Sequence, residues 1–76
     1  MSEIIRQIRK IILRAELCII NNQLSDAQNY NENARELILN NWDEMEYEPL
    51  LGKVMRQKNE ITVQMVKSLS NQSVNN

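Results

Sequence analysis

The apolar residues of the first twenty positions are spaced at alternating intervals of four and three residues. Ile4, Ile8, Ile11, Ala15 and Cys18 follow this spacing. An α-helix has about 3.6 residues per turn, so the spacing places these side chains on one face. Further isoleucines, each one position later, widen the stripe: Ile5, Ile12 and Ile19. The segment predicts an amphipathic helix over residues 3–20 whose broad apolar face is directed at a core.

The stretch "NNQLSDAQ" interrupts this helix after residue 20. A pair of asparagines can end a helix in left-handed geometry. Ser25 followed three residues later by Gln28 forms a capping box, which predicts a second helix over about residues 26–40. So short a connection makes the two helices antiparallel neighbours. The second helix has a narrow apolar stripe, namely Ala27, Tyr30, Ala34, Leu37 and Ile38.

A second break occurs at "NNWDEMEYEP". Asp43 and Glu46 form another possible capping box. Proline disfavours helical geometry at Glu48, the residue before it, and suits the first position of a helix. The third helix is therefore predicted over about residues 49–69, with these apolar positions: Leu50, Leu51, Val54, Met55, Ile61, Met65 and Leu69.

The composition supports an all-α fold. The chain has 76 residues with one glycine, one proline and no phenylalanine, which argues against a turn-rich β fold. We predict a small three-helix unit, an antiparallel helical hairpin plus a third helix, in a single domain at residues 1–69. The remaining residues 70–76, "SNQSVNN", have little to bury and are expected to form a disordered polar tail.

The net charge of −1 conceals three blocks of alternating sign. Residues 1–14 sum to +3, residues 15–48 to −7 and residues 49–76 to +3. An antiparallel hairpin would bring Arg6, Arg9 and Lys10 close to the acidic connection Asp43–Glu48. Each surface pair contributes little to stability, but together they favour this topology.

A second apolar row on the first helix is the strongest functional signal. Leu13, Leu17 and Ile20 follow one another at helical spacing, on the side opposite the core stripe. Either the helix is the centre of a bundle, or this face meets another chain. So short a chain builds a thin core, which favours a partner protein or a second copy of the chain. Trp42 and Met55 are further candidates for partner contact, since exposed tryptophan is a good interface anchor.

Basic residues of the first helix suggest an alternative function. Arg6, Lys10 and Arg14 share one helical face, with Arg9 close by. Such a face, together with bases of the third helix, could neutralise phosphates in a small nucleic-acid-binding regulator. The acidic overall charge and the lack of an aromatic residue in this face make nucleic acid the weaker hypothesis.

The residue types needed for catalysis or metal binding are scarce. The chain has no histidine, so a nucleophilic Cys18 would have no imidazole base, and this thiol is expected to be buried and inert. The carboxylates of Asp43, Glu44, Glu46 and Glu48 lack the sharp glycine turn of a calcium loop and are interpreted as solvated helix-terminal charges. We therefore expect no enzyme, no metal and no cofactor.

The location of the protein is inferred from what the chain lacks. No apolar stretch approaches about 18 uninterrupted residues, so no membrane span is expected. Arg14 and Glu16 interrupt the apolar run that a secretory signal would need. A single cysteine fits a reducing compartment, and we expect a cytoplasmic protein.

The hairpin resembles a tetratricopeptide unit. The tetratricopeptide repeat places small packing residues at separations of twelve and seven, and Ala15, Ala27 and Ala34 have this spacing. The position of Leu24, three residues before Ala27, also suits the repeat. The stretch "SDAQNYNENARELI" is also similar to the second helix of the small co-chaperones that guard needle subunits in type III secretion. In outline the chain looks like a microtubule-interacting-and-transport domain as well. These resemblances imply binding to another protein, by an adaptor, chaperone or inhibitor.

Overall fold

The computed structural model describes residues 3–42 and 44–74, with side chains described for residues 3–42 and 47–70. Three helices follow one another: α1 at Glu3–Ile20, α2 at Leu24–Asn40 and α3 at Glu44–Val74. No strand occurs in this part of the chain. The predicted all-α class and three-helix architecture are confirmed.

The end of α1 is closed by an asparagine, as the sequence predicts. Asn22 has a φ of 59°, in the left-handed region. The amide of Gln23 donates to the carbonyl of Cys18 at 2.7 Å, and the amide of Asn22 donates to the carbonyl of Ile19 at 3.0 Å. These two bonds form a Schellman motif, which satisfies carbonyl groups that the helix end would otherwise leave without partners.

This closure yields the first testable prediction. Replacing Asn22 by Val should lower the free energy of unfolding by about 1–2 kcal/mol, because a β-branched side chain clashes with the backbone at positive φ. Asn22→Gly should be at least as stable as the natural chain. Urea denaturation measures both, with Asn21→Val as the matched control. Equal midpoints for the two valine variants would contradict the left-handed closure.

Helix α2 starts earlier than the sequence predicts, and the proposed capping box is wrong. Gln23 occupies the N-cap position without a side-chain cap bond, and Ser25 lies inside the first turn. The Schellman motif of α1 ends at Gln23, whose carbonyl already accepts the amide of Ala27 at 3.0 Å. The next helix therefore begins immediately, with no residue free to act as a separate cap.

Helix α3 also starts earlier, at Glu44 rather than at Pro49. Glu48 is helical, so the expected break before the proline is wrong. Pro49 removes one helical hydrogen bond. The flanking side chains compensate, since Tyr47 and Leu50 are both only 4% exposed and anchor the helix on either side of the proline. The predicted Asp43–Glu46 capping box lies outside the residues whose side chains are described.

The far end of α3 extends to Val74, five residues beyond the predicted end. Residues 70–74 of the predicted polar tail therefore continue the helix. Residues 75 and 76 lie outside the described part of the chain. The division into a domain at 1–69 and a disordered tail at 70–76 stays a prediction.

The core lies where the three helices meet. Ile8 of α1, Ile38 of α2 and Val54 of α3 are fully buried in it. Between the helices, Ala27 and Ala34 are also fully buried, and their small side chains let a neighbouring helix approach closely. Partly buried apolar side chains pack around this core: Ile4, Ile5, Ile11, Ile12, Leu37 and Leu51.

The molecule is elongated because α3 is much longer than its neighbours. The principal extents are 52 × 18 × 15 Å. With a rise of about 1.5 Å per residue, α1 and α2 are each about 26 Å long and α3 about 46 Å. The last buried side chain described in α3 is Ile61, and Gln64, Met65 and Ser68 after it are partly buried. The helix continues about 20 Å past Ile61 to Val74.

Candidate protein-binding surface

The second apolar row of α1 faces away from the core. Leu13 is 61% exposed, Leu17 51% and Ile20 72%. Their spacing of four and three residues aligns them along one side of the helix. Helices α2 and α3 leave this side open, so α1 is not the enclosed centre of the bundle. The structure thus excludes the enclosed centre, while contact of this face with another chain stays a prediction.

A groove between α1 and α3 runs beside this row. Its lining includes the apolar side chains of Ile12, Leu13 and Leu50. Charged side chains of both signs also line it: Arg9, Glu16, Lys53, Arg56 and Glu60. Leu13 belongs both to the open face and to the groove, so the two form one surface along α1.

A buried polar layer reaches the groove at Gln57, which belongs to the groove lining. Asn31, 1% exposed, donates through Nδ2 to the carbonyl of Val54 at 2.9 Å and to Oε1 of Gln57 at 3.0 Å. Gln57 in turn donates through Nε2 to the carbonyl of Ile12 and to Oε1 of Glu16, both at 3.0 Å. Gln57 thus links α3 to both other helices. Its hydrogen bonds set the relative height of the helices, that is, the position of α3 along the axes of α1 and α2.

This layer was not predicted, although the sequence carries a signal for it. Asn31 follows Ala27 by four residues and precedes Ala34 by three, so it occupies a core position of α2. Gln57 stands in the same way between Val54 and Ile61 on α3. Two amides at core positions of adjacent helices indicate a hydrogen-bonded pair, because buried polar groups need partners.

The other two candidate residues are exposed but lie apart from the α1 face. Met55 is 57% exposed. It is two residues from both Lys53 and Gln57, which line the groove, so it lies about 160° around α3 from them. Trp42 is 41% exposed and follows the end of α2, about 26 Å along that helix from the α1–α2 connection. The five candidates therefore do not form one continuous site.

The basic residues of α1 are all exposed: Arg6, Arg9, Lys10 and Arg14. Nη1 of Arg6 lies 4.0 Å from Oε1 of Glu3 in the same helix, and both side chains are largely exposed to solvent. Arg9 lines the groove. The sequence predicts that these basic residues lie close to the acidic connection Asp43–Glu48. Most of that connection, residues 43–46, has side chains outside the described part of the chain.

The remaining candidates for chemistry are few. Cys18 carries a free thiol and is partly buried, rather than fully buried as expected. Among the described side chains, no group of three or more His, Cys, Asp or Glu residues could hold a metal ion. None of the described helices is both long enough and apolar enough to cross a membrane.

Comparison with known proteins identifies no relative. No protein-family model, no curated protein and no solved structure matches the chain. The resemblance to a tetratricopeptide hairpin and to secretion co-chaperones stays a prediction.

Proposed function

We propose that this chain is a small protein-binding module without catalytic activity, an adaptor, chaperone or inhibitor acting in the cytoplasm. It presents the open face of α1 to a partner protein. The observation that carries the proposal is the exposure of Leu13, Leu17 and Ile20, each more than half in solvent. Contiguous apolar patches on a small protein are typical of interaction sites.

The neighbouring groove suggests the form of the partner. A helix laid into a groove is recognised by apolar anchors at helical spacing, with charged groups at the margin. Leu13 and Ile12 supply apolar contacts, and Glu16, Lys53 and Arg56 supply charges of both signs. This arrangement suits an amphipathic helix whose polar edges also carry both signs.

The polar groups of the surface support binding rather than catalysis. Among the described side chains, no buried nitrogen or oxygen atom lacks a hydrogen-bond partner. Asn31 and Gln57 already use their amides to join the helices. No histidine is present to act as a base. The surface therefore offers shape, apolar area and charged groups at its margin.

Affinity capture tests the proposal. The full chain is immobilised, exposed to extract from the cells that produce it, and the bound proteins are identified by mass spectrometry. The amount of partner recovered should be at least about tenfold lower with the Leu13→Ser/Leu17→Ser double variant than with the natural chain, because central apolar contacts are lost. Leu39→Ser is the matched control, because Leu39 is a comparably exposed leucine of α2. Equal recovery by all three proteins would contradict the proposal.

The same experiment distinguishes protein binding from the alternative function, nucleic-acid binding. An apolar interface should survive about 1 M salt, where the screening length falls to about 3 Å. Phosphate binding should collapse in that salt and on replacement of Arg6, Arg9, Lys10 and Arg14 by glutamine. Recovery of nucleic acid with that behaviour would replace protein binding by nucleic-acid binding.

A further inference from the structure

Basic side chains border the open face of α1 on both sides. Residues three and four apart are neighbours on a helix surface. Leu13 therefore has Arg9 and Lys10 as neighbours one turn earlier, and Leu17 has Arg14. All three bases are exposed. The apolar row is thus flanked by a cation beside the groove, at Arg9, and by two cations on the outer side.

The opposite wall of the groove adds two further cations. Lys53 and Arg56 of α3 line the groove across from α1. Lys53 shares the apolar half of the groove with Arg9 and with the side chains of Leu13 and Leu50. A molecule that contacts both leucines therefore passes between two cations, one from each wall.

The two acids of the groove offset these cations only in part. The carboxylate of Glu16 accepts a hydrogen bond from Nε2 of Gln57 at 3.0 Å, so one of its oxygens is already used within the chain. Glu60 lines the other half of the groove, together with Arg56. Among the described side chains, no carboxylate lies within 4.0 Å of a groove cation. The cations beside the apolar row are therefore available to carboxylates of a partner.

We propose that the partner of the open face is an acidic amphipathic helix, with carboxylates along both edges of its apolar stripe. This inference rests on the proposed function, because it specifies the partner of the same face. On the groove side the carboxylates reach Arg9 and Lys53, and on the outer side they reach Lys10 and Arg14. A base on the same helix is accommodated at the level of Glu60. Such complementary charges speed association and exclude partners of the wrong charge.

An acidic helix fits this surface better than other anionic partners do. A phosphate backbone would neutralise the cations but leave Leu13 and Leu17 in water, and α1 contains no aromatic side chain on which bases could stack. An anionic lipid surface would cover the leucines, but it is flat. Lys53 and Leu50 stand on a second wall across the groove, and a helix can contact both walls at once.

Three designed helical peptides test the charge of the partner. All carry the same leucine stripe, and the edges of the stripe carry glutamate, glutamine or lysine. A side-chain bridge on the far side keeps each peptide helical. Fluorescence anisotropy with the full chain at about 0.15 M salt should give a Kd at least about tenfold lower for the glutamate peptide than for the glutamine peptide, and the highest Kd for the lysine peptide.

The salt dependence of the same measurement checks that the preference is electrostatic. At about 1 M salt the screening length falls to about 3 Å. The Kd values of the glutamate and glutamine peptides should then differ by about twofold or less, because only the shared leucine contacts remain. A tenfold preference that persists at this salt would contradict recognition by the exposed cations.

Charge reversal on the chain tests which cations are responsible. Arg9→Glu/Lys53→Glu should invert the order, so that the lysine peptide binds at least about tenfold more tightly than the glutamate peptide. Arg35→Glu/Lys58→Glu is the matched control, because it changes the net charge equally. Arg35 is exposed on α2, and Lys58 lies about 140° around α3 from Lys53. The control should keep the natural order, and circular dichroism of both variants should remain helical.

Several results would overturn the acidic helix while leaving the proposed function to be judged separately. Equal binding of the three peptides that is lost with Leu13→Ser/Leu17→Ser would show a helix-binding face without preference for acids, and the proposed function would stand. A glutamate peptide that does not bind at about 100 µM rejects the acidic helix, and affinity capture then decides the proposed function.

Other results would assign the cations to another role. Inversion of the order by Arg35→Glu/Lys58→Glu as well would show that net charge, rather than the border of the open face, selects the peptide. Vesicles of phosphatidylcholine and phosphatidylserine, and single-stranded DNA, serve as the other anionic probes. Tighter binding of either probe than of the glutamate peptide, lost with Arg9→Glu/Lys53→Glu, would replace the acidic helix by a lipid surface or by nucleic acid.

Discussion

Replacing Ile8 by Asp should unfold the chain at neutral pH. Ile8 is 0% exposed and lies in the core shared by the three helices. A carboxylate there would be buried without a partner, at a cost of roughly 3–5 kcal/mol. A domain of this size has a total stability of only about 3–5 kcal/mol. Circular dichroism should therefore show loss of most of the helical signal.

Leu17→Asp is the matched control for Ile8→Asp, since it introduces the same carboxylate into the same helix. Leu17 is 51% exposed, so the charge stays in water. The free energy of unfolding should fall by about 1 kcal/mol or less, from lower helix propensity and an acid near a helix C-terminus. A chain unfolded equally by both substitutions would show that the α1 face belongs to the core.

Replacing Asn31 by Asp should have an effect of similar size. The Nδ2 atom of Asn31 donates to two acceptors, the carbonyl of Val54 and Oε1 of Gln57. A carboxylate cannot donate and would face both oxygens at about 3 Å in a buried site. We expect a loss of roughly 3–5 kcal/mol at pH 7, measured by thermal or urea denaturation. Asn33→Asp, at an exposed position of the same helix, should change stability by about 0.5 kcal/mol or less.

The effect of Asn31→Asp should depend on pH in a defined direction. Burial and the two facing oxygens would raise the pKa of the introduced carboxyl above its unfolded value of about 3.9. The folded state then binds the proton more tightly than the unfolded state does. The penalty should grow as pH rises from about 3.9 to the raised pKa and stay constant above it. Below about 3.9 the penalty is smallest, because the carboxyl is protonated in both states and can donate one bond in the fold. A stability difference from Asn33→Asp that does not change with pH would contradict a buried site.

Some features of the chain follow from local spacing and were predictable. The stripe of α1 placed Ile8 in the core, and the second row placed Leu13 and Leu17 on the opposite side of the helix. The exposure of that side was decided by the structure. The assignment of the two rows to opposite sides depends only on helical geometry. The closure at Asn22 was predictable because asparagine tolerates left-handed geometry.

Helix boundaries were predicted less well because local rules compete with packing. Proline before a helix normally marks its start, yet α3 begins five residues before Pro49. Tyr47 and Leu50, each 4% exposed, are buried against the other helices, and this burial outweighs one missing hydrogen bond. Similarly, Ser25 does not cap α2, because the Schellman motif that closes α1 ends at Gln23 and α2 begins directly after it.

The all-α class, the helical hairpin and the second apolar row of α1 could be read from the sequence, because these depend on residue spacing along single helices. Two features are visible only in the folded chain: Gln57 joins Asn31 of α2 to Glu16 of α1, and α3 extends past its neighbours. These features depend on the relative height of separate helices. That height is set by contacts between residues 23 to 45 positions apart, which no local pattern specifies.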